Sequence, residues 1–403
     1  MNLNFDDIEF LNNSSDIFDS INDSPSFSPF LEIAIDFLDI LSKKLLKNPE
    51  SRLYPDLITF SFYCRKANIL KLKNNNKSNL LRCGRGIVFH IAPSNIALNF
   101  AYSLVSGLLS GNTNIVKVPS KNFKQTEIIC RTLNDISKIN SFDVISSKIV
   151  LLKYSRNNNN ITSYLSSICD VRIIWGGDET INRIRENKIP PRSFDITFAD
   201  RYSICIINSE SYLKEKNKNG IARNFYNDTF LFDQNACSSP HLIVWLGKDK
   251  NIIKSKNVFW KLLYNIVKEE YSLESVSSID KLTNFYSQSV DFNNVTLIPS
   301  EDNLIWRSKI KSLNNNIEDY RCNSGYFTEY DAKNINELSK IINRKYQTLS
   351  YYGISKTNLI KFINQINPSG IDRIVPIGKT SDFSFVWDGY NLVSTLSRII
   401  DII

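Results

Sequence analysis

The sequence predicts an α/β protein in which a parallel sheet is covered by helices on both faces. Short apolar runs bounded by turn residues alternate with stretches of helical periodicity, which is typical of parallel strands joined by crossover helices. The connecting turns, such as Gly111-Asn112 and Gly176-Gly177-Asp178, are short. Strands are predicted at 86–91, 113–118, 149–154, 171–175 and 203–207, with helices at 96–109, 124–139, 161–169 and 178–186 between them. Because ligands bind at the carboxyl ends of such strands, we expect functional residues directly after residues 91, 118 and 175.

Helical patterns also flank this region. Ser28-Pro29 is typical of a helix start, and apolar residues follow at helical spacing up to Leu45. A second helix is predicted over 54–72, so residues 1–80 should form a helical arm that packs on the body. Further helices are predicted around 258–270 and at the chain end, 392–403.

Composition excludes several classes of protein. Of the 403 residues, 42% are hydrophobic and 22% charged, which fits a large buried core and argues against global disorder. We find no run of 18 apolar residues that would predict a transmembrane helix and no signal peptide at the N-terminus. The net charge of +8 fits either a solvated lysine-rich surface or attraction of polyanionic ligands. Nucleic acid is disfavoured, because the basic residues are not clustered with aromatic ones.

The cysteine pattern predicts a reduced protein without a metal site. There are seven cysteines, an odd number, and no C-x-x-C pair, and the sequence has only two histidines, His90 and His241. This pattern supports neither a disulfide framework nor a zinc site, so we expect a protein of the reduced cytoplasm.

Cys237 is the candidate nucleophile. It lies among small and polar residues, in the segment from Asp233 to Pro240, ahead of an apolar strand. A structural cysteine is the alternative, since reactivity requires a helix N-terminus or a cation nearby. His241, four residues on, could act as a base or be a partly buried structural histidine.

Two further segments follow predicted strands. Asn95, in the turn after 86–91, offers an amide that could stabilise an oxyanion, although a helix N-cap would use the same residue type. Lys117, at the end of 113–118, could bind ribose hydroxyls or phosphate.

Taken together, these segments resemble the aldehyde dehydrogenase superfamily over roughly residues 50–403. The details are most similar to its acyl-CoA/acyl-protein thioester reductase branch, typified by the fatty acid reductase of bacterial luminescence. The matching motifs lie in the expected order along the chain: His90-Ile-x-Pro-Ser-Asn95, Trp175-Gly-Gly-Asp178, Asp233-Gln-Asn-Ala-Cys-Ser-Ser-Pro240, Gln347-Thr348, Gly370-Ile-Asp-Arg-Ile-Val-Pro-Ile-Gly378 and Trp387-Asp-Gly389.

The resemblance implies a fold and a role for each matched residue. It implies an aldehyde dehydrogenase-like fold, with a Rossmann-type NADP-binding domain at 81–208, an α/β catalytic domain at 209–372 and a C-terminal return segment at 373–403. Cys237 matches the nucleophile and Asn95 the oxyanion-stabilising amide. Lys117 matches the cofactor ribose ligand, and Gly176 and Gly177 match the turn beneath the cofactor pyrophosphate.

Two departures from the superfamily pattern refine the predicted reaction. Acid-forming relatives carry a glutamate that activates water, whereas the matching position here is Thr197, which cannot act as that base. NAD-preferring relatives often have a carboxylate at the position of Ser120. Ser120 followed by Lys121 removes that repulsion and adds a cation, which favours the 2′-phosphate of NADPH.

The sequence therefore predicts NADPH-dependent reduction of a fatty acyl thioester, either acyl-CoA or acyl-protein, to the aldehyde through an acyl group on Cys237. The alternatives are an acid-forming aldehyde dehydrogenase, a reductase of acyl phosphates and a non-catalytic acyl-binding member. The resemblance also implies a homo-oligomer and an acyl-activating or acyl-transfer partner protein.

Overall fold

The computed structural model describes residues 7–12, 16–94, 96–292, 295–300 and 302–403. The chain divides into two compact units. The first contains Met1–Ala199 together with Phe383–Ile403, and the second contains Asp200–Asp382. Asn95, the predicted oxyanion donor, lies outside the described residues.

The first unit is built on a six-stranded sheet with the order β1-β5-β4-β3-β6-β7. All neighbouring strands are parallel except β1, which runs antiparallel to β5. The chain passes from β3 outward through β4 and β5, then returns to the other side of β3 with β6 and β7. A switch of this kind opens a crevice at the carboxyl ends of β3 and β6. The strands are β1 Glu9–Phe10, β3 Ile87–Ile91, β4 Thr113–Lys117, β5 Ile149–Lys153, β6 Val171–Trp175 and β7 Phe194–Phe198, while the short β2 Arg82–Gly84 pairs elsewhere.

Helices cover both faces of this sheet, as the alternating pattern predicts. Strands β3, β4 and β6 are buried along their whole length, because apolar side chains on both of their faces meet separate clusters of helical side chains. The helices are α1 Ile17–Ser20, α2 Glu32–Lys47, α3 Pro55–Tyr63, α4 Lys66–Asn75, α5 Asn99–Leu109, α6 Lys124–Ser137, α7 Asp143–Ser146, α8 Asn159–Ile168 and α9 Asp178–Arg185.

The N-terminal helices differ from prediction at their starts and breaks. The helix start predicted at Ser28-Pro29 is wrong, since Phe30 has a left-handed φ of 58° and α2 begins at Glu32. The Phe30 N–H instead donates to the carbonyl of Leu109, which turns the chain onto the body. The stretch predicted as one helix over 54–72 is two helices, α3 and α4, that break at Cys64–Arg65.

The second unit contains a seven-stranded sheet with the order β10-β11-β12-β9-β8-β13-β14. Only β10 is antiparallel to its neighbour. The strands are β8 Tyr202–Asn208, β9 Pro240–Leu246, β10 Thr296–Pro299, β11 Trp306–Lys309, β12 Tyr326–Ala332, β13 Tyr346–Tyr352 and β14 Arg373–Pro376. The helices are α10 Ser209–Lys214, α11 Lys218–Thr229, α12 Asp249–Glu270, α13 Ser275–Asp291 and α14 Lys356–Ile366.

The chain then returns to the first unit through β15 Val386–Trp387, β16 Tyr390–Asn391, α15 Leu392–Thr395 and β17 Ser397–Ile399. The helix predicted over 392–403 is therefore wrong beyond its first turn. Strand β17 pairs antiparallel with β2, and the Arg82 guanidinium donates to the carbonyls of Ser394 and Ser397. These partners satisfy the backbone groups that a longer helix would otherwise pair.

No helix in the described ranges combines the length and the apolar character that are needed to cross a bilayer.

Candidate active site

The predicted nucleophile lies on a tightly bonded loop between α11 and β9. Asp233 and Gln234 both have left-handed φ angles, 50° and 60°, which turn the chain sharply before Cys237. The Gln234 side chain is fully buried, and its Nε2 donates to the carbonyls of Pro240 and Tyr326. The loop is thereby held against β9 and β12, so Cys237 has a defined position.

Cys237 is half-buried and receives hydrogen bonds at two of its atoms. Gln347 Nε2 donates to Cys237 Sγ at 3.2 Å, and Ser203 Oγ donates to the Cys237 carbonyl at 2.6 Å. Ser203 Oγ in turn accepts from the Thr348 N–H at 3.1 Å. A donor aimed at sulfur stabilises the thiolate more than the neutral thiol, so this arrangement suits a nucleophile.

The Gln347 amide is itself oriented by its neighbour. Thr348 Oγ1 donates to Gln347 Oε1 at 3.2 Å, which places the amide nitrogen on the side of the sulfur. The sequence singled out Gln347-Thr348 only as a matching motif, without a role. Because β13 and β8 are adjacent parallel strands, their residues reach Cys237 from distant parts of the chain, which no local pattern reveals.

Burial affects the thiols of five of the other cysteines. It raises the pKa of each of these thiols, so they remain protonated and unreactive at neutral pH. The pKa rises to about 12 for Cys130, Cys169 and Cys205, to about 11 for Cys322 and well above its usual value for Cys64.

Asp228 on α11 joins the Cys237 loop to the loop after β14. Its buried carboxylate accepts from the N–H of Gly378 at 2.6 Å and of Thr380 at 3.1 Å, and its carbonyl accepts from Ser239 Oγ at 2.8 Å. Burial raises the pKa of Asp228 to about 6, against the opposing effect of the two N–H donors. Asp228 cannot be recognised from the sequence, since an aspartate late in a helix carries no signal of a distant partner.

His241 is buried in β9 rather than presented to solvent. Its ring stacks on Tyr202, and Nδ1 lies 3.1 Å from the carbonyl of Cys322, to which it donates. Burial, together with nearby Arg321, lowers the pKa of His241 to about 3. The imidazole is therefore neutral at physiological pH, and the geometry favours the structural role over that of a base.

In the first unit, Lys117 is a buried cation at the carboxyl end of β4. Its ammonium lies 3.9 Å from the centre of the Tyr154 ring. Burial, and then repulsion from Arg183 and Arg156, lowers the pKa of Lys117 to about 8. No described carboxylate raises it, so a ribose hydroxyl or phosphate oxygen fits the chemistry of this group.

Ser120 and Lys121 lie beyond Lys117 on the following turn. Ser120 lines an open cleft of about 600 Å³, together with the segments at 7–9 and 153–156. Lys121 is exposed, with its ammonium 5.4 Å from the centre of the Phe123 ring. No carboxylate stands at residue 120, which is compatible with a phosphate in the cleft.

The Gly176-Gly177 turn connects β6 to α9. The Gly176 N–H donates to the carbonyl of Phe198, and a Cβ on Gly176 would lie only 3.1 Å from the Thr180 side chain. Gly177 is the N-cap of α9. The first helical turn carries the exposed residues Asp178 and Glu179, which stabilise the helix terminus but place negative charge beside the predicted pyrophosphate position.

A buried polar chain supports the carboxyl ends of β3 and β6. His90 Nδ1 lies 2.7 Å from Ser103 Oγ, and His90 Nε2 lies 3.0 Å from Asn114 Oδ1. Because Asn114 Oδ1 can only accept, Nε2 carries the ring proton and Nδ1 accepts from the Ser103 hydroxyl. Ser103 Oγ also accepts from the Trp175 indole N–H. Burial lowers the pKa of His90 to about 4. His90 is therefore a neutral core residue.

The site residues are divided between the units. Cys237, with Gln347 and Ser203, belongs to the second unit, whereas Lys117, Ser120, Lys121, Gly176 and Gly177 belong to the first. Thr197, half-buried on β7, also lies in the first unit, opposite Ile174 of β6.

Comparison with known proteins identifies both a family and a fold. The model of the acyl-CoA reductase (LuxC) family matches residues 65–399. No curated protein matches the chain. The chain is similar to the solved structure of aldehyde dehydrogenase 21 from Physcomitrella patens with succinate, with a TM-score of 0.65 and 9% identity over 95% of this chain and 88% of that one. It is similar to an NAD-dependent benzaldehyde dehydrogenase from Corynebacterium glutamicum, with a TM-score of 0.62 and 12% identity over 92% of this chain and 84% of that one. It is also similar to a salicylaldehyde dehydrogenase from Pseudomonas putida G7 with salicylaldehyde, with a TM-score of 0.62 and 14% identity over 91% of this chain and 84% of that one. The chain therefore has an aldehyde dehydrogenase-like fold.

Proposed function

The chain belongs to the LuxC family of acyl-CoA reductases, and on that premise we propose that it reduces a fatty acyl thioester to the aldehyde with NADPH, through an acyl group carried on Cys237. Family and fold make it an oxidoreductase of acyl and aldehyde groups that uses a nicotinamide cofactor. The observation that carries the finer proposal is the half-buried Cys237 sulfur, which accepts a hydrogen bond from Gln347.

Acyl transfer uses groups of the second unit. The Cys237 sulfur attacks the carbonyl carbon of the thioester, a new carbon–sulfur bond forms, and the thiolate of CoA or of a carrier leaves. This covalent route divides one difficult step into two. The Gln347 N–H stabilises negative charge on Cys237 before attack. Asn95 and the Cys237 N–H are the proposed oxyanion donors.

Aldehyde release needs the same sulfur to leave again. Bound NADPH would supply the hydride that reduces the acyl group. The resulting oxyanion then collapses and expels the Cys237 sulfur as a thiolate, and the Gln347 N–H stabilises that leaving group as well. With Thr197 at the position of the hydrolytic glutamate, the chain offers no base there to activate water, which argues against acid formation.

The proposed cofactor-binding residues all lie in the first unit. Lys117, a buried cation whose pKa is lowered by burial and by Arg183 and Arg156, is the proposed ribose ligand. Ser120 and Lys121 are proposed to favour NADPH, and Gly176 and Gly177 to lie under the pyrophosphate. A homo-oligomer and an acyl-activating or acyl-transfer partner remain part of the proposal.

The test is to incubate the protein with NADPH and a panel of acyl-CoAs, following nicotinamide absorbance and trapping the aldehyde. NADPH oxidation with aldehyde formation, absent in Cys237→Ser, is the expected result. Cys322→Ser is the matched control and should retain turnover, because that thiol has a pKa of about 11. Turnover that survives in Cys237→Ser would refute the role of this cysteine. Acid formation from aldehyde and NADP⁺ without CoA would instead indicate an acid-forming dehydrogenase.

A further inference from the structure

Helix α13 of the second unit exposes an apolar stripe along its outer face. The stripe extends over about 21 Å, at 1.5 Å per residue. Isolated apolar residues are ordinary on a protein surface, but a contiguous patch of them marks a surface that a partner covers. The stripe consists of five large apolar side chains, each between 41% and 84% exposed: Val276, Ile279, Leu282, Tyr286 and Val290.

The opposite face of α13 is polar and buried. Lys281 and Gln288 are fully buried. Lys281 Nζ donates to a carbonyl between β10 and β11 at 2.7 Å, and Gln288 Nε2 donates to Thr328 Oγ1 at 3.2 Å. Ile279 and Tyr286 each lie two positions before one of these residues, which is about 200° around a helix. The hydrogen bonds therefore fix which face is turned inward and leave the stripe outside the core.

The stripe has the spacing of a contact between helices. Val276, Ile279, Thr283, Tyr286 and Val290 follow one another at intervals of three, four, three and four residues. At this heptad spacing the side chains of one helix fit between those of another. We therefore expect the element that covers the stripe to be a helix.

The charges on α13 disfavour a lipid surface as the covering partner. Helices that lie on membranes carry lysine or arginine on their polar face. Beside the stripe, α13 instead carries the exposed carboxylates of Asp280 and Asp291, and Lys281, the only basic residue of 275–291, is buried. An anionic lipid surface would be repelled there, so a protein helix fits the stripe better.

A second copy of the chain fits this surface when its α13 lies antiparallel. Residues numbered symmetrically about Thr283 then come level with one another, so Val276 of each copy lies opposite Val290 of the other. Asp280 of each copy faces Ser287 of the other, so no two of these carboxylates meet. The end of each helix also lies beside the start of the other, an arrangement in which the helix dipoles attract.

We propose that the apolar stripe of α13 is a two-fold contact between copies of this chain, with the two helices antiparallel about Thr283. This inference names a surface for the proposed homo-oligomer and rests on that part of the proposed function alone, not on the reaction at Cys237. One helix from each copy buries less than the roughly 800 Å² per partner of a standard interface. The contact should therefore depend on protein concentration.

Sedimentation equilibrium of the full chain over the micromolar range tests the contact. Wild type should show a reversible doubling of mass that Ile279→Asp abolishes, because the substitution places an unpaired carboxylate in the seam. Ile360→Asp is the matched control: Ile360 is a 51% exposed residue on α14, outside the stripe, and this variant should associate as the wild type does. The absence of doubling in wild type, or its persistence in Ile279→Asp, would overturn the proposal.

Cysteine crosslinking tests the antiparallel arrangement and does not depend on a disruptive variant. Two copies of Thr283→Cys face each other at the two-fold axis and should form a disulfide-linked dimer in air, above the background given by the natural cysteines of wild type. Val290→Cys should not crosslink alone, because its two copies lie roughly 20 Å apart along the axis, but should do so when mixed with Val276→Cys.

The remaining outcomes separate this inference from its rivals. Crosslinking of Val290→Cys alone would indicate parallel helices and contradict the arrangement about Thr283. Vesicles of anionic phospholipid that retain wild type but not Ile279→Asp, without any doubling of mass in solution, would show that the stripe binds lipid and would overturn the contact between copies. Neither measurement involves a thioester, so failure here leaves the proposed reaction to be decided by the acyl-CoA assay.

Discussion

At the scale of single residues, the proposed nucleophile Cys237 accepts a hydrogen bond from an amide on strand β13. Gln347 is fully buried and its Nε2 donates to Cys237 Sγ at 3.2 Å. A buried donor to a thiolate is worth more than a bond between neutral groups. Changes at Gln347 should therefore alter the reactivity of Cys237 without any change at the cysteine itself.

We predict that Gln347→Leu lowers the rate of Cys237 alkylation by iodoacetamide about 10-fold at fixed pH, because it removes a hydrogen bond to a charged group. Gln347→Glu should lower it further, since a carboxylate replaces the donor. Mass spectrometry of the modified peptide gives the rate at this cysteine alone. Gln365→Leu, on the exposed side of α14, is the control with wild-type reactivity; an equal rate in Gln347→Leu would rule out the proposed contact.

The candidate site also indicates how far functional residues can be predicted from residue types alone. Cys237 and Lys117 could be proposed because each is a chemically distinctive residue in a recognisable segment. Gln347 and Asp228 could not be assigned roles, because their contacts depend on which strands and loops become neighbours. Asn95 stays a prediction, since it lies outside the described residues.

At the scale of elements, Asp228 connects helix α11 with the loop after β14. Its buried carboxylate has a pKa raised to about 6, so the folded protein binds a proton that the unfolded chain, with a pKa near 3.8, releases. The folded state is therefore favoured by this group below about pH 4, and that contribution is lost as pH rises through 6.

We predict that wild type loses about 1 kcal/mol of stability relative to Asp228→Asn between pH 5 and pH 8, because the asparagine cannot ionise. Denaturant unfolding at the two pH values measures the difference. Asp135→Asn is the control: that aspartate pairs with Lys138 at the surface, with a side chain that is 53% exposed, and no such relative change should follow. A pH-independent difference for Asp228→Asn would contradict the raised pKa.

Elements were predictable where local sequence determines them. The central strands are short apolar runs between turns, and all five predicted strands were confirmed to within a residue or so at each end. The chain end was not predictable, because β17 forms through pairing with β2, more than 300 residues earlier. The burial pattern of helix α13 could not be predicted either, since it buries Lys281 and Gln288 while Ile279 and Val290 are exposed. The buried lysine donates to the carbonyls of Asn303 and Leu304, which are contacts with a distant loop.

At the scale of the whole molecule, assignment of strands to sheets was beyond the sequence. Strand β8 has the same apolar character as the strands before it, yet it pairs with β9 and β13 in the second sheet. An apolar run indicates that a strand is buried on both faces. The strands with which it pairs are determined by contacts over the entire chain. The α/β class could therefore be predicted, whereas the sheet to which β8 belongs required the structure.

The stability of the whole molecule should fall in mild acid, because both of its histidines are buried and neutral. Burial lowers the pKa of His90 to about 4 and of His241 to about 3, whereas the unfolded chain takes up protons near pH 6.5. Each histidine thus contributes stability that is complete above pH 6.5 and is lost as pH falls through its folded pKa. Between pH 7 and pH 5 the loss is about 2 kcal/mol per histidine, and protonation of Asp228 offsets roughly 1 kcal/mol of it.

One histidine lies in each compact unit, so the two contributions can be separated. Amide hydrogen exchange at pH 7 and pH 5, corrected for the intrinsic rate, should show weaker protection of β3 and β4 around His90 and of β9 around His241 at the lower pH. In His90→Gln, the pH dependence of β3 and β4 should shrink while that of β9 persists, even if the substitution lowers stability at both pH values. Equal pH dependence of β3 in wild type and His90→Gln would show that His90 is not the group that titrates, and would place the acid sensitivity of this unit elsewhere.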